Sequence, residues 1–294
     1  MPMPDVRITH IDLTAFFVSV ECLRDPALAG KPIMVAGPAD KRGVVTCASY
    51  EVRKYGVRAG MATALAQKKC PIAIRVDGHR NLYEEYSQRV RKYLRQYAPE
   101  FEAASIDEFY IDWTGCEKLF RTTLINFARK IQRDILQSIG LPCAIGIGSN
   151  KIISKIACDR AKPDGVIEVA TGDEADFLKA LDVSVLPGVG KVMKENLYLR
   201  GIHTCGELAA LNEMFVQERF GAWGLHVQAY ARGEGSQTVG GTHEQKQISS
   251  EETFERDTDD MKFLHAVLHR MAFDLSEQLR RNDLQSRCIH LKLR

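Results

Sequence analysis

The sequence predicts an α+β protein of several domains, in which helices cover one face of a central sheet. Three observations support this class. The length of 294 residues, of which 45% are hydrophobic, allows more than one core. Apolar patterns of strand period and of helix period alternate between residues 7 and 148. A segment with many glycines interrupts that alternation at 25–76, and a second one follows it at 233–241.

The elements can be assigned in order along the chain. Residues 7–11 are predicted as a strand and residues 14–23 as a helix. Residues 25–76 are predicted as a small inserted subdomain with a thin core, containing the strands PIMVAG and GVVTCA and a helix at 63–69.

An amphipathic helix is predicted at 80–97, with Leu82, Tyr86, Val90 and Leu94 on its apolar stripe. It is followed by a hairpin made of FEAASID and EFYIDW, a helix at 119–138, and the strand CAIGIG. Near the end of the chain we expect a strand up to residue 254, a helix at 259–281, and a strand in CIHLKLR.

Composition excludes several classes. The chain starts without an apolar signal region and has no apolar run long enough to span a bilayer, which predicts a cytoplasmic protein that does not contact membranes. The 8 cysteines include no C-x-x-C pair, which argues against a zinc module and a disulfide framework. A net charge of +2 does not by itself mark a nucleic-acid binder.

Two acidic clusters lie about a hundred residues apart. Asp12 follows the first predicted strand, and Asp107 and Glu108 lie at or beside the tip of the predicted hairpin. Three carboxylates on neighbouring strands would repel one another, which implies a neutralising cation. Because all the ligands are oxygens, that cation is predicted to be Mg²⁺. A turn built on Asp-Glu lacks the Gly or Asn that hairpins prefer, as expected where function overrides local preference.

Basic residues suggest contacts with phosphate. Lys151 and Lys155 share one face of a helix for which Ser149 is the predicted N-cap. Tyr50 and Arg53, three residues apart, make a candidate phosphate clamp. The alternative for the helix with Lys151 and Lys155 is an ordinary solvated helix face.

The segment LPGVGKVMKENLYLRG has the form of a helix-hairpin-helix. Gly188 and Gly190 would let backbone N–H groups approach a phosphate, and Lys191 adds a positive charge at the helix start. Such a motif binds nucleic-acid backbones without reading sequence, whereas the alternative is a tight helix-helix turn. QERFGAWGLHVQAYARG is a candidate second, degenerate hairpin.

The order of these motifs resembles that of the Y-family DNA polymerases, and most closely their bacterial DNA polymerase IV branch. The resemblance runs from residue 8 to about residue 232 and continues more weakly beyond. Its most specific pieces are IDLTAFFVSVE, GVVTCASYEVRKYGV, SIDEFYID, GIGSNKIISKIACDRAKPDG and LPGVGK.

The resemblance implies a domain organisation. The palm, with a mixed or antiparallel central sheet, would comprise residues 1–24 and 77–166, and small α/β fingers would comprise 25–76. An all-α helix-hairpin-helix thumb would span 167–232, followed by a linker at 233–241 and an incomplete α/β little finger at 242–294.

The resemblance also implies residue roles. Asp12, Asp107, Glu108 and the carbonyl of Leu13 would bind two Mg²⁺ ions. The triphosphate would be bound by Tyr50, Arg53, Lys155 and the backbone N–H groups of Phe16 and Phe17. The Phe17 ring would be the steric gate that excludes ribonucleotides, while the Phe16 side chain is equally well explained as core.

Two residues depart from the family pattern. Thr14 stands where a second acid is usual, and Cys47 replaces a threonine near the expected triphosphate site. Both departures affect details of nucleotide affinity and leave the metal ligands in place.

The implied activity is template-directed, low-fidelity translesion DNA synthesis. Its partners would be primer-template DNA, deoxynucleoside triphosphates, and a sliding clamp bound through a C-terminal tail that this chain lacks; the protein would be a monomer. The alternatives are a catalytically silent DNA-binding scaffold of the same family and a palm-type nucleotidyl cyclase. The intact Asp12, Asp107 and Glu108 argue against the scaffold, and the hairpin at 187–191 argues against the cyclase.

Overall fold

The computed structural model describes residues 5–98, 100–241 and 246–293. Its strands are Ile8–Leu13 (β1), Ile33–Ala36 (β2), Val45–Ala48 (β3), Ile74–Val76 (β4), Glu100–Ala103 (β5), Glu108–Asp112 (β6), Cys143–Gly148 (β7) and Val166–Glu168 (β8). Its α-helices are Phe16–Arg24 (α1), Tyr50–Arg53 (α2), Thr63–Lys69 (α3), Arg80–Leu94 (α4), Glu117–Phe120 (α5), Leu124–Ile139 (α6), Lys151–Ala161 (α7), Glu174–Lys179 (α8), Lys191–Tyr198 (α9), Cys205–Ala209 (α10), Glu213–Ala231 (α11) and Met261–Arg281 (α12).

The central sheet has five strands in the order β5-β6-β1-β7-β8. Strands β7 and β8 run parallel and the other neighbours are antiparallel, so the sheet is mixed, as the sequence predicted. Strand β1 lies in the middle, paired with β6 on one side and β7 on the other. This position brings the two acidic clusters to adjacent strands.

Helices cover both faces of this sheet, which corrects the prediction that only one face is covered. Ile145 and Ile147 of β7 join the core beneath α4 and α6. Ala144 points to the opposite face and packs against Cys158 of α7. Asp12 pairs across the strands with Ala144, so its side chain lies on the α7 face.

Helix α7 lies unusually close to the sheet because β7 contains Gly146. A Cβ at this position would lie 2.1 Å from the Ser154 carbonyl oxygen and 2.2 Å from the Cys158 nitrogen. The helix is capped by Asn150, whose side chain accepts from the N–H groups of Ile152 and Ile153. The predicted cap, Ser149, precedes it by one residue and makes no such bond, because the Asn150 amide oxygen already takes both N–H groups.

The inserted segment forms a second, three-stranded sheet in the order β3-β2-β4. Its own core is small and is built from side chains such as Met34, Val45, Val52 and Ala66. This agrees with the thin core expected from a sequence rich in Gly, Pro and Ala. Helix α2 and the end of β3 lie at the side of this unit that faces the central sheet, as contacts between α1 and β3 indicate.

Helices α8 to α11 form an all-α unit with its own apolar core, which includes Leu178, Leu197, Leu208 and Val227. It shares Ile153 and Ile156 with α7, so this core joins the back of α7. Within α11 the backbone kinks at Gly221, which has φ 66° and ψ −166°. The kink matches the predicted second hairpin, in which two short helices meet.

The glycine-rich segment 233–241 is bound to the central sheet. The Asn150 amide donates to the Gly233 carbonyl at 2.7 Å, and the Gly240 N–H donates to Glu102 at 3.0 Å. Val239 is buried against Ile8. The segment therefore lies along the protein surface with fixed contacts.

The C-terminal segment departs most from the sequence prediction. Residues 246–293 contain helix α12 but neither of the two expected strands. A strand forms only beside a hydrogen-bonding partner, and no described strand pairs with residues 250–254 or 288–293. Only Val267 of α12 is buried. Two exposed ion pairs, Lys41–Glu255 and Arg42–Asp257, join this segment to the small sheet unit.

No α-helix among the described residues has the length and apolar character needed to cross a bilayer. The eight cysteines are all free thiols, and six of them are buried.

Candidate active site

The register between β1 and β6 places Asp12 directly opposite Glu108. Residues opposite one another in an antiparallel pair present their side chains on the same face, about 5 Å apart at Cβ. Asp107 precedes β6, and its carbonyl accepts from the Leu13 N–H at 3.0 Å. The sheet therefore brings all three predicted carboxylates, and the backbone of Leu13, to one end of β1.

Ser105 builds the turn that presents Asp107. Its hydroxyl oxygen accepts from the N–H groups of Asp107 and Glu108 at 3.2 and 3.0 Å, and its hydroxyl donates to the Asp107 carboxylate at 2.6 Å. Helix α4 anchors the same turn, because Arg91 donates to the Ser105 carbonyl and Ser87 to the Ile106 carbonyl. By accepting from two backbone N–H groups, the Ser105 hydroxyl stabilises a turn that contains neither of the residues hairpins prefer, Gly or Asn.

Two lysines from α7 and its C-terminal end neutralise carboxylates of the site. Lys155 Nζ lies 2.7 Å from Glu108 Oε1, and Lys162 Nζ lies 2.7 Å from Asp12 Oδ2. Lys162 also contacts Asp159 at 2.7 Å. Sequence reasoning identified Lys155 as a phosphate ligand and assigned no role to Lys162, although both lie in one basic run.

The surroundings of Asp12 and of Glu108 shift the pKa values of these two carboxyl groups in opposite directions. Burial raises the pKa of Asp12 to about 6, against the opposing effect of Lys162. The nearby His10 ring, together with Lys155, lowers the pKa of Glu108 well below its ordinary range despite burial. Both carboxylates are consequently ionised at neutral pH.

His10 was not identified from the sequence. It is fully buried, and neither ring nitrogen has a hydrogen-bond partner among the described atoms. Its Nε2 lies 3.7 Å from Glu108 Oε2, and its ring contacts that of Tyr110. Burial lowers the pKa of His10, so the ring is neutral and adds no cation to the site.

The donor set fits a hard divalent cation. The three side chains offer only carboxylate oxygens, and the sheet places them on adjacent residues of paired strands. Within the described part of the chain, however, no three His, Cys, Asp or Glu side chains converge on a common point in this conformation. Asp12 and Glu108 are turned instead toward Lys162 and Lys155, which supply the positive charge.

The two aromatic residues at the start of α1 have different environments. Phe16 is buried in the core at 2% exposure, whereas Phe17 is only partly buried. The Phe17 ring stacks on Tyr83, with centroids 4.3 Å apart and planes at 15°. Phe17 is thus the more exposed of the two rings.

Tyr50 and Arg53 lie together on α2. The Arg53 guanidinium lies 4.6 Å from the centre of the Tyr50 ring, and its Nε donates to the Ala48 carbonyl. Burial raises the pKa of Tyr50, and the charges of Asp12 and Lys162 act on it in opposite directions. These interactions show that α2 faces the carboxylate end of β1.

The residues that depart from the family pattern have structural contacts. The Thr14 hydroxyl donates to the Pro163 carbonyl and so ties β1 to the segment that carries Lys162. Cys47 is buried beneath α1, and burial raises the pKa of its thiol. Thr14 therefore links two segments of the chain through the hydrogen of its hydroxyl. An ionised acid at this position has no hydrogen to donate and could not form this bond.

The predicted hairpin at 187–191 ends at the N-terminus of α9. Gly188 has φ 90°, and a Cβ there would lie 2.3 Å from the Trp223 ring, whose Nε1 donates to the Gly188 carbonyl. Gly190 is the N-cap of α9, and the Lys191 side chain is 89% exposed. Lys194, one turn later, forms an ion pair with Asp182 and is therefore less available to bind a phosphate.

Comparison with known proteins agrees with this geometry. Residues 11–159 match the model of the impB/mucB/samB family, and residues 245–294 match the model of that family's C-terminal domain. The chain is 41% identical over 288 residues to a DNA polymerase IV of Dehalococcoides mccartyi (strain CBDB1), covering 98% of this chain and 74% of that relative.

The chain belongs to the Y family of DNA polymerases.

Further similarities support this membership. A DNA polymerase IV of Shewanella baltica (strain OS195) is 34% identical over 290 residues, covering 97% of this chain and 81% of that relative. The crystal structure of DinB from Sulfolobus solfataricus superposes with a TM-score of 0.73 at 33% identity, over 79% of this chain and 69% of that one. A Y-family polymerase chimera gives a TM-score of 0.78 at 31% identity, over 92% of this chain and 80% of the other.

Proposed function

We propose that this chain is a template-directed DNA polymerase that copies damaged templates with low fidelity. It adds a deoxynucleotide to a primer 3′-hydroxyl and releases pyrophosphate. The observation that carries the proposal is the register that sets Asp12 opposite Glu108, with Asp107 bonded to the backbone of Leu13. The relatives' name, DNA polymerase IV, supports the same reaction.

The reaction depends on a divalent metal, which we propose to be Mg²⁺, with two ions per site. Asp12, Asp107, Glu108 and the Leu13 carbonyl would hold them. When bound, such a pair activates the 3′-hydroxyl and neutralises the charge on the leaving pyrophosphate. The protein's contribution is a pair of carboxylates that are ionised at neutral pH, since the pKa of Asp12 is about 6 and that of Glu108 is lower.

We propose that the triphosphate of the nucleotide is bound by the side chains of Lys155, Tyr50 and Arg53 and by the backbone N–H groups of Phe16 and Phe17. Lys155 lies 2.7 Å from Glu108, which places its ammonium at the edge of the carboxylate site. Arg53 is held by the Ala48 carbonyl and the Tyr50 ring, which orients its guanidinium before any ligand arrives. Preorganised cations of this kind stabilise charge that develops on a phosphate.

We propose that Phe17 selects the sugar. Its ring would lie against C2′ of the incoming nucleotide and leave no space for a 2′-hydroxyl. The partial burial of Phe17 beside a fully packed Phe16 supports this division of roles. A Phe17→Ala variant is expected to accept ribonucleotides, and primer extension with each sugar measures the change.

We assign DNA binding to the hairpin before α9. Gly188 and Gly190 leave the backbone N–H groups accessible, and the exposed Lys191 adds a charge for a phosphate. These contacts would position the duplex without reading its sequence.

The domain assignment follows the two sheets and the helical unit. We propose a palm at 1–24 and 77–166, fingers at 25–76, a thumb at 167–232, a linker at 233–241 and a little-finger portion at 242–294. The separate cores of the central sheet, the small sheet and helices α8–α11 support the first three divisions. We further propose a monomer in the cytoplasm that binds a sliding clamp.

The decisive experiment is primer extension on a templated duplex with Mg²⁺ and deoxynucleotides, run beside a chelated control. Extension that follows the template and stops with chelator supports the proposal. Duplex binding without any extension would favour the silent scaffold instead. An Asp176→Ala variant, which changes an exposed residue of α8, is the matched control for carboxylate substitutions.

A further inference from the structure

Glu21 is a fully buried carboxylate in α1 that the proposed chemistry does not use. It accepts three hydrogen bonds, from the Tyr83 hydroxyl at 2.5 Å, from His79 Nδ1 at 2.9 Å and from Arg24 Nε at 3.0 Å. Burying an ionised carboxylate is costly unless every oxygen is paired. Here burial raises the pKa of Glu21, but the bonds from Tyr83, His79 and Arg24 outweigh it and lower the pKa overall.

Tyr83 connects Glu21 to the proposed gate. Its ring is 4% exposed and stacks on Phe17 with centroids 4.3 Å apart. Burial and the bond to Glu21 raise the pKa of the Tyr83 phenol, so it remains a donor. Phe17 and Glu21 lie four residues apart on α1 and so share one face, which is why a single tyrosine reaches both.

The bond and the stack restrain different motions. Stacking keeps the two ring planes parallel but permits one ring to slide across the other. The hydrogen bond to Glu21 holds the hydroxyl end of the Tyr83 ring, which is the end far from the backbone. It therefore limits movement of the ring along its long axis. Together they restrict the movement of the Phe17 ring.

We propose that Glu21 is a positioning residue for sugar selection, which acts through Tyr83 to fix the plane of Phe17 against the incoming nucleotide. This inference rests on the proposed role of Phe17. A gate that works by excluding one oxygen atom depends on placement within a fraction of an ångström. The buried Glu21 carboxylate restrains Tyr83, and through it Phe17, from the same face of α1.

The test is the ratio of kcat/KM for a deoxynucleotide to kcat/KM for the matching ribonucleotide. Both terms scale with the fraction of active enzyme, so a purely structural defect leaves the ratio unchanged. Tyr83→Phe keeps the ring and removes the tether, and Glu21→Gln keeps the shape and weakens it. We expect each to lower the ratio about tenfold, the effect of losing one bond to a charged group.

Arg24→Gln is the matched control. It also removes a bond to Glu21, but Arg24 does not contact Phe17 or Tyr83 through any bond in the structure and its side chain is half exposed. Its ratio should stay within about twofold of the wild type, because Arg24 bonds Oε2 of Glu21, whereas Tyr83 bonds Oε1 and keeps that bond.

Phe17→Ala separates this inference from the proposed function. If Phe17→Ala lowers the ratio while Tyr83→Phe and Glu21→Gln leave it unchanged, the gate stands and the positioning role of Glu21 is overturned. If Phe17→Ala also leaves the ratio unchanged, both assignments fall. A lowered ratio in Phe17→Ala, Tyr83→Phe and Glu21→Gln, with a wild-type ratio in Arg24→Gln, supports the inference.

Discussion

Lys162 forms an ion pair with Asp12, with 2.7 Å between Nζ and Oδ2. The same ammonium contacts Asp159 on α7 at 2.7 Å, and Thr14 bonds the next residue, Pro163. Without a metal ion, the charge of the most buried carboxylate in the site is therefore balanced by the protein itself. This relationship determines how the site should respond to substitution, pH and metal.

Lys162→Met should destabilise the metal-free protein. The change leaves Asp12 without its cation, and an unpaired buried group costs about 1–3 kcal/mol. Urea unfolding in the presence of chelator measures the loss, with Lys179→Met as the exposed control. Mg²⁺ should raise the melting temperature of the variant more than that of the wild type, because it supplies the missing charge. An unchanged urea midpoint would contradict the importance of this pair.

The contribution of Asp12 to the stability of the metal-free protein should fall as pH rises from about 4 to 6. Asp12 has a folded pKa of about 6 against 3.8 when unperturbed, so in this range the folded state binds more protons than the unfolded state. The stabilising contribution of the protonated form is lost as pH passes the folded pKa. Glu108 has the opposite sign, but its lowered pKa confines its effect to pH below about 4.5. The difference in unfolding free energy between wild type and Asp12→Asn, measured by urea titration across this range, isolates the contribution of Asp12.

Asp107→Ala should abolish primer extension and leave the fold intact. Asp107 lies in a turn and is only partly buried, so its removal leaves no cavity. Its backbone carbonyl, which bonds to Leu13, is unaffected. Circular dichroism and single-turnover extension at saturating DNA measure the two effects separately. Wild-type extension by this variant would remove Asp107 from the proposed metal site.

Ser105→Ala should slow extension about tenfold while DNA binding stays the same. The hydroxyl accepts from two backbone N–H groups, and losing it costs about 1–3 kcal/mol and loosens the turn that presents Asp107. Comparing kcat with the dissociation constant for primer-template distinguishes a displaced carboxylate from general damage. Equal losses in both quantities would indicate that the turn only supports folding.

Lys191→Ala should weaken binding to every duplex sequence to a similar degree. Its exposed ammonium lies 3.9 Å from Glu195, a longer ion pair than that of Lys194, and it can turn to a phosphate, so the slope of log K against log salt should fall in magnitude by about one. Lys194→Ala removes the same charge, but Lys194 is occupied by Asp182 and its slope should match the wild type. If the two variants shift the slope equally, the contact is not specific to the hairpin.

Periodicity predicted most of the fold. Strands β1, β6 and β7 were assigned correctly because strongly apolar runs leave few alternatives. The strands expected after residue 246 did not form, since strand propensity cannot create a partner strand. On α4 the predicted stripe included Leu82 and Tyr86, whereas the buried positions are Tyr83, Ser87, Val90 and Leu94. The sequence cannot reveal that a tyrosine and a serine face inward, because each depends on a distant acceptor, the Glu21 carboxylate and the Ile106 carbonyl.

The site was only partly predictable for a similar reason. The three carboxylates could be proposed from the sequence because several acidic residues at the ends of neighbouring predicted strands are an unusual combination. Lys162, His10 and Ser105 escaped notice because their roles arise from contacts over long sequence separations or within one unusual turn. A lysine in a basic run gives no sign of which acid it will meet.

Asn150 performs two tasks with one side chain. Its amide oxygen caps α7, and its amide nitrogen donates to the Gly233 carbonyl, where the chain leaves α11. Helix α7 carries Lys155 one turn further on. A displacement of the chain at Gly233 would therefore reach the first turn of the helix that carries Lys155 through the side chain of Asn150.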